Sequence, residues 1–250
     1  MLVEIVVYNF ESALRAQDGG ADRIELCDNP AEGGTTPSAG MVELVRKNLS
    51  IDVYAMLRPR GGDFCYSSFE FHAMKRDLSQ CQRASVDGVV FGILNPDGTL
   101  DRKRCQELIQ RARPLKVTCH RAFDMARDPF EALENCIEAG FDRILTSGLQ
   151  PQASGGAALI GELVKKAAGR ISIMAGSGVN EQTVQDIVKQ SGVSEIHFSA
   201  AASRDSVMQY RNASIGNMGS QGEGEYQVRT VDPERVRRIR ALAEAVERQG

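Results

Sequence analysis

Val117–Asp124 reads VTCHRAFD, a short strand pattern that runs directly into His120, Arg121 and Asp124. A buried strand end that carries this much charge needs partners, because an unpaired charge in an apolar environment is costly. Met56–Asp63, which reads MLRPRGGD, has the same arrangement, with two arginines and an aspartate after a strand. The two stretches predict that separate strands deliver polar side chains to one site.

Strand patterns alternate with helix patterns along the rest of the chain. A helix pattern follows each of the predicted strands, which are Val3–Val7, Arg23–Cys27, Val53–Leu57, Gly88–Leu94, Lys116–His120, Arg143–Thr146, Ile171–Ala175 and Glu195–Ser199. This alternation requires a parallel sheet, and 250 residues is a typical length for eight closed βα units. The sequence therefore predicts an α/β fold, a single (β/α)8 TIM barrel over residues 1–250, with a long loop between the eighth strand and the last helix.

The junctions before the even-numbered strands resemble one another. They read GGADRIEL, ASVDGVVF, AGFDRILT and SGVSEIHF. A period of two βα units is expected of a barrel whose interior is filled by alternate strands, although any such turn also favours glycine and a polar residue. Helix signals further predict a sixth helix from Ala157 to Ala167 and a seventh helix capped by Asn180.

Side-chain alternation along each strand predicts which polar groups share a face. Ile24 and Leu26 suit the surrounding helices, which leaves Glu25 and Cys27 facing the barrel interior. Barrel sites form at the C-terminal strand ends, and polar groups from five strands at one end favour a functional site over a structural ion pair. Arg58 is opposite in charge to the carboxylates, as a buried cluster requires. The complete predicted lining is Glu4, Glu25, Cys27, Arg58, His120, Ser147 and His197.

The roles of individual residues stay open at this point. His120 is a candidate general base, metal ligand or packing histidine. Arg58 and Arg60 are candidates for binding a carboxylate or phosphate, and the alternative is that they hold their own loop through Asp63. The catalytic candidates are Glu25, Arg58 and His120, and the candidates for anion binding are Arg60, Asp63, Arg121, Asp124, Gly176, Gly178 and Ser199. Arg121 and Asp124 have the alternative of a local ion pair.

Two later stretches bear on the same end of the barrel. Backbone amides at Gly176, Gly178 and Ser199 could bind a phosphate, and tight turns that need glycine are the equal alternative. Ala202–Thr230 is long for a loop, and its GSQGEGE segment predicts flexibility at the tip. The base of the loop is predicted to close over the mouth as a lid, with disorder as the alternative, on the basis of Tyr210, Arg211, Asn212 and Tyr226.

Composition narrows the class of protein. A formal charge of −3 provides no basic surface for nucleic acid, and no apolar run reaches membrane-spanning length. The N-terminus carries Glu4 where a signal peptide would be apolar, so a cytoplasmic protein is expected. The six cysteines include no C-x-x-C pair, which argues against structural zinc and favours free thiols. The expected ligand is a metal ion or a small anion.

Several motifs, in this order and across nearly the whole chain, carry a family likeness: GADRIELC, EGGTTPS, LRPRGGDFCYS, VTCHRAFDM, RILTSG and YRNASIG. The chain resembles the CutC copper-homeostasis family. The resemblance implies a cytoplasmic (β/α)8 barrel, a homo-oligomer, and Cu(I) as the bound metal. It brings no settled enzymatic activity.

One position departs from the pattern of this family. Some members carry a first-strand cysteine that would face the cysteine of the ELC motif, whereas this chain has Val6 opposite Cys27. A single thiolate cannot make a linear two-sulfur site, so Cu(I) would need His120 or a thiol from another subunit. Two hypotheses follow: a copper-handling protein with Cys27 as ligand, or a lyase, isomerase or hydrolase that acts on a small anionic or phosphorylated metabolite.

Overall fold

The computed structural model describes residues 1–215, 218 and 224–248. Eight parallel strands close into a barrel in chain order, as the sequence predicts. They are β1 (Leu2–Val7), β2 (Arg23–Leu26), β3 (Asp52–Met56), β4 (Gly88–Phe91), β5 (Lys116–Cys119), β6 (Arg143–Thr146), β7 (Ser172–Gly176) and β8 (Glu195–Phe198). None of the helices in the described part has the length and apolar character needed to cross a bilayer.

Helices surround the barrel and cover the outward faces of the strands. They are α1 (Phe10–Asp18), α2 (Ala39–Asn48), α3 (Ser68–Arg83), α4 (Arg102–Ala112), α5 (Pro129–Ala139), α6 (Ala153–Ala167), α7 (Val184–Ser191) and α8 (Pro233–Glu247). The start of α5 shows how the local sequence sets a boundary. Asp128 accepts hydrogen bonds from the backbone N–H groups of Phe130 and Glu131, and Pro129 occupies the first turn, where its missing N–H costs nothing.

Two predicted helix starts are wrong. Helix α6 begins at Ala153, four residues before the predicted start, despite the glycines that weaken helix propensity there. Gly156 is required because a Cβ atom would lie 2.0 Å from the Ser147 carbonyl oxygen, so only glycine allows this close approach. Helix α7 begins at Val184, because the Asn180 side chain instead accepts from the backbone N–H of Gln182 and closes a separate turn.

The repeated junction motif has a structural purpose. In three of the four copies, the aspartate side chain accepts a hydrogen bond from a backbone N–H at or near the start of the preceding odd-numbered strand. The pairs are Asp22 with Val3 at 2.8 Å, Asp87 with Val53 at 2.8 Å, and Asp142 with Val117 at 2.9 Å. A terminal strand N–H needs such an acceptor, so the repeat satisfies the same backbone requirement every second βα unit.

The lower interior of the barrel is an ion-pair network. Arg23 donates to Glu4 and to Glu195, and Arg143 donates to Glu195, all with little or no solvent exposure. The sequence analysis set Arg58 against the buried carboxylates. That pairing is wrong, because Arg23 neutralises Glu4 from the adjacent strand, where the two residues are register partners.

The segment predicted as a loop between the eighth strand and last helix is partly ordered as a hairpin. Its base is an antiparallel pair, β9 (Ala201–Asp205) and β10 (Gln227–Val231). The pair is held against α1, where Asn9 and Arg15 donate to backbone carbonyls of β10. Most of the predicted flexible tip, the GSQGE portion of GSQGEGE at 219–223, lies outside the described residues.

Candidate functional site

A cavity of about 120 Å³ opens among the C-terminal ends of the barrel strands. We call it the mouth cavity. The structure brings Glu25, Arg58 and His120 together in its wall, although they are far apart in the sequence. The complete lining is Val6, Tyr8, Glu25, Gly33, Met56, Arg58, Phe64, His120, Arg121, Leu145 and His197. The cavity therefore combines an apolar wall with buried ionisable groups, which is typical of a site for a small ligand.

Glu25 lies between two other ionisable groups on the inner face of the barrel. His197 contacts Glu4 through Nδ1, at 2.7 Å from Oε1, while its Nε2 lies 3.8 Å from Oε2 of Glu25. Burial raises the pKa of Glu25 to about 7, with a contribution from the Glu4 charge, even though His197 opposes the shift. Oε1 of Glu25 is buried without a hydrogen-bond partner among the described residues. A carboxyl group with this pKa can exchange a proton near neutral pH.

The pKa values of Glu4 and His197, the two groups beside Glu25, shift in opposite directions. Burial favours the neutral form of Glu4, but Arg23 and His197 outweigh it and lower its pKa to about 2. Burial disfavours a charge on His197 as well, yet the neighbouring Glu25 and Glu4 carboxylates raise its pKa above the usual value. The Nδ1 contact with Glu4 fixes the ring orientation and leaves Nε2 facing Glu25.

His120 has a different protonation state. Its Nδ1 accepts a hydrogen bond from the backbone N–H of Ala122 at 3.1 Å, so the proton of the neutral ring resides on Nε2. Burial and the Arg58 charge lower its pKa to about 3, which keeps the ring neutral. Phe64 packs on the ring at 4.9 Å between centroids. His120 thus presents a fixed N–H donor, and Nε2 has no partner among the residues described.

Arg58 is a buried cation that is bound mainly by backbone. Nη1 donates to the carbonyls of Glu32 and Gly34, and Nη2 donates to that of Gly62. Its Nε is buried without a partner, and none of the described carboxylates forms an ion pair with this guanidinium. The ring of Phe64, whose centroid lies 5.0 Å from the guanidinium carbon, adds a cation–π contact to these three carbonyls.

Cys27 lies on the inner face, as strand alternation predicts, and is 1% exposed. Its Sγ donates to Oε2 of Glu25 at 3.6 Å. Burial and the adjacent Glu25 carboxylate raise the pKa of the thiol well above its usual value, so the free thiol is protonated. Cys27 and Met56 belong to one small buried cluster. The sulfur donors at this place are therefore a thiol and a thioether, both of which are soft ligands.

Arg121 lines the cavity and is held in place by Asp124, which is not in the lining. Arg121 pairs with Asp124 at 2.8 Å and reaches the Ser147 hydroxyl with a second nitrogen. Asp124 also accepts from the Ser147 backbone and hydroxyl. Ser147 is buried but is not in the lining of the cavity, and its hydroxyl also donates to the backbone carbonyl of Gln150. The ion pair offered as the alternative for Arg121 and Asp124 is the arrangement observed.

The remaining anion-binding candidates are not in the lining of the mouth cavity. Arg60 is bound by Asp63 and Glu70, so it holds the loop after β3, which was the alternative role. Gly176 is the last residue of β7, and a Cβ atom there would lie 2.5 Å from Leu145. Gly178 and Ser199 are exposed and outside the lining.

Three of the four residues predicted to form a lid, Arg211, Asn212 and Tyr226, contact one another, and none of the four is in the lining of the cavity. Arg211 lies over the ring of Tyr226, whose hydroxyl accepts from the backbone N–H of Asn212. Tyr210 is 71% exposed. At the base of the hairpin, Arg229 reaches the ring of Tyr8, which lines the mouth cavity. This contact joins the base of the hairpin to the rim.

Glu4, Glu25 and His197 form a cluster that could hold a metal ion, with their ligand atoms within 4.8 Å of one another. Two of these three groups are already engaged, because Glu4 binds Arg23 and the Nδ1 of His197. This leaves Glu25 and Nε2 of His197 as available atoms. Glu4 therefore serves to orient His197, and the cluster does not provide a complete set of metal ligands.

Sequence reasoning missed several residues that shape this site. Arg23, Arg143 and Glu195 stand at strand starts, where the search for groups at C-terminal strand ends did not look. Each lies two positions before Glu25, Leu145 or His197 on the same strand, so side-chain alternation could have placed all three on the inner face. Phe64 and Tyr8 lie beyond strand ends, and only the folded loops bring them to the cavity.

A closed parallel barrel with a buried polar cavity at its C-terminal strand ends defines a (β/α)8-barrel protein built to hold a small ligand. The CutC family model matches residues 1–202. This chain belongs to the CutC family.

Curated relatives and a solved structure agree with this assignment. The copper homeostasis protein cutC homolog of Homo sapiens is 45% identical over 245 residues, which cover 98% of this chain and 90% of the relative. A family protein CutC of Chromobacterium violaceum is 44% identical over 239 residues, or 96% of each chain. The crystal structure of CutC from Streptococcus agalactiae superposes with a TM-score of 0.76 at 32% identity, covering 80% of this chain and 98% of that one.

Proposed function

We propose that this protein acts in copper homeostasis in the cytoplasm, where it binds Cu(I) at the mouth cavity. The observation that carries the proposal is the 45% identity, over 98% of the chain, to a human protein named for copper homeostasis. All six cysteines are free, which suits a reducing compartment. Reduced thiols and Cu(I) are stable under the same conditions.

Cys27 is the thiol through which Cu(I) would be held. Val6 stands where a second strand thiol would be needed, and the proton on Nε2 of His120 removes that nitrogen as a donor in its present tautomer. Met56 offers a thioether in the same buried cluster. We therefore propose a Cys27–Met56 pair as the soft donor set for Cu(I). Binding would release the thiol proton, so the affinity should rise with pH.

The test is a titration of reduced protein with Cu(I) against a competing chelator. Cys27→Ser should remove high-affinity binding, and Met56→Leu should weaken it at nearly constant side-chain volume. Cys65→Ser is the matched control, because Cys65 is half-buried in a loop and does not belong to the buried cluster of Cys27 and Met56. An affinity that stays unchanged in Cys27→Ser would rule out this site.

The family likeness further suggests a homo-oligomer, and we propose that the protein self-associates. Light scattering on the purified chain measures its mass directly. A mass equal to 27.2 kDa at all concentrations would contradict this part of the proposal.

A further inference from the structure

Exposed apolar side chains are concentrated in one segment, which follows β9. We call residues 206–226, which join β9 to β10, the arm; the structure describes 206–215, 218 and 224–226 of it. Eight large apolar side chains are exposed in the described part of the chain, and five of them belong to the arm. These five are Val207, Met208, Tyr210, Ile215 and Met218. Single exposed apolar residues are ordinary, whereas a group of this size is typical of a contact with another molecule.

The arm has a folded backbone whose polar groups pair with one another. The backbone N–H of Ser206 donates to the carbonyl of Tyr226 at 2.8 Å, and the Tyr226 hydroxyl accepts from the backbone N–H of Asn212 at 2.7 Å. The guanidinium of Arg211 lies 4.1 Å from the centroid of the Tyr226 ring. The apolar side chains are therefore presented to solvent from a backbone that already has internal contacts, which lowers the entropic cost of binding.

The composition of the arm favours a protein partner over a lipid surface. Arg211 is the single charged residue in the stretch 206–215. Lipid surfaces are normally recognised by several basic residues together with apolar ones. The centres of protein interfaces are instead depleted in charge and enriched in tyrosine, methionine and arginine, which is the composition found here.

A groove of about 380 Å³ lies among the loops that follow β3, β4 and β5. Its wall is largely apolar, and Asp63 is the charged residue in its lining. Because the strands close in chain order, β4 lies opposite β8, the strand from which the arm leaves. Arm and groove therefore flank the same barrel mouth on opposite sides. The apolar lining residues are Phe64, Cys65, Leu94, Pro96 and Met125.

The charges of the arm and the groove are complementary. The Asp63 side chain is 70% exposed, and its Oδ1 accepts from Arg60 and from the backbone N–H of Cys65, which leaves Oδ2 for a further donor. Arg211 forms no ion pair with a carboxylate among the described residues, and its guanidinium is held on one face by Tyr226. One unpaired cation on the arm thus matches one available carboxylate oxygen in the groove.

We propose that the arm of one copy of this chain lies in the groove of a second copy, and that the two copies exchange arms about a two-fold axis. The inference rests on the self-association proposed above and names its interface. Because arm and groove lie on opposite sides of one face, a two-fold axis brings each arm to the other copy's groove. Both contacts form together and the assembly closes as a pair.

The proposed interface borders the mouth cavity. Phe64 lines both the groove and the mouth cavity, and its ring packs on His120 at 4.9 Å between centroids. The arm of the second copy therefore lies against one wall of each site.

Light scattering on full-length variants tests the interface. Val207→Asp in the arm and Met125→Asp in the groove each place a charge in the apolar contact, so each should halve the mass of the wild type. The two side chains are 89% and 67% exposed, so the fold should be kept, as an unchanged urea midpoint would show. Leu44→Asp is the matched control, because Leu44 is an exposed apolar residue on α2 outside the arm and the groove. Tyr210→Asp repeats the arm test if Val207→Asp fails to fold.

Mixing the two variants tests the exchange itself. A pair made of one Val207→Asp chain and one Met125→Asp chain keeps one intact arm facing one intact groove, so the mixture should regain mass that neither variant has alone. Arg211→Asp and Asp63→Arg should each weaken association by about tenfold. The double reversal should recover most of this loss, which a purely local role for either residue would not predict.

Each contrary result has a distinct meaning. A wild-type mass of 27.2 kDa at all concentrations would overturn this inference together with the proposed self-association. A larger wild-type mass that is equal in both Asp variants would overturn the interface alone. An effect of Val207→Asp without an effect of Met125→Asp would mean that the arms contact each other or their own barrel. Failure of the mixture to regain mass would likewise exclude arm exchange.

Discussion

Replacement of Glu25 by Gln should change how the stability of the protein depends on pH. The side chain is 3% exposed, and its burial raises the pKa from 4.5 in the unfolded chain to about 7 in the folded state. This rise, multiplied by about 1.36 kcal/mol per pKa unit, corresponds to about 3 kcal/mol. Gln has nearly the shape of the protonated carboxyl group, so the substitution removes the charge and keeps the packing.

The sign follows from proton binding. Between about pH 4.5 and pH 7 the folded protein keeps the Glu25 proton, whereas the unfolded chain has lost it. The folded state therefore binds more protons, and the free energy of unfolding falls as the pH rises through this window. Glu25→Gln removes this fall. From acidic to mildly alkaline pH, the free energy of unfolding of the variant should therefore increase by about 3 kcal/mol relative to that of the wild type.

Urea denaturation at about pH 5 and about pH 8 measures this difference directly. Glu138→Gln is the control, because Glu138 is an exposed carboxylate on α5 and should leave the wild-type dependence intact. Equal pH dependence in wild type and Glu25→Gln would mean that Glu25 is ionised at little cost in the fold. The description of the mouth cavity as a desolvated site would then be wrong.

Three further substitutions test other parts of the structure. Glu195→Gln should lower the free energy of unfolding by about 3–5 kcal/mol in urea denaturation, because it leaves two buried arginines without their shared carboxylate; a loss near that of an exposed ion pair would contradict the network. Gly92→Ala should cost about 1–3 kcal/mol and shift the imidazole nitrogen signals of His120 in NMR, since the added Cβ overlaps the ring; unchanged signals would exclude this contact. Asp142→Ala should cost about 1 kcal/mol and speed amide exchange at Val117, whose N–H loses its acceptor; an unchanged exchange rate would show that the repeat has no such purpose.

The sequence alone determined the barrel and the end at which its polar groups meet. Alternating strand and helix patterns allow few arrangements other than a closed parallel sheet at this length. Because side chains alternate strictly along a strand, the inward positions of Glu25, Cys27 and His120 could be predicted without coordinates. These features depend on local periodicity, which is a property of the chain itself.

The tertiary structure alone decided which groups pair and in which protonation state. Glu4 is neutralised by Arg23 from the adjacent strand, and Arg58 is left with backbone carbonyls and no carboxylate. The backbone N–H of Ala122 fixes the tautomer of His120, and so turns a candidate base into a donor. Such outcomes depend on distances of a few ångströms between residues distant in sequence and on the burial that they share. Electrostatic energies change steeply with both, so a linear sequence pattern cannot decide them.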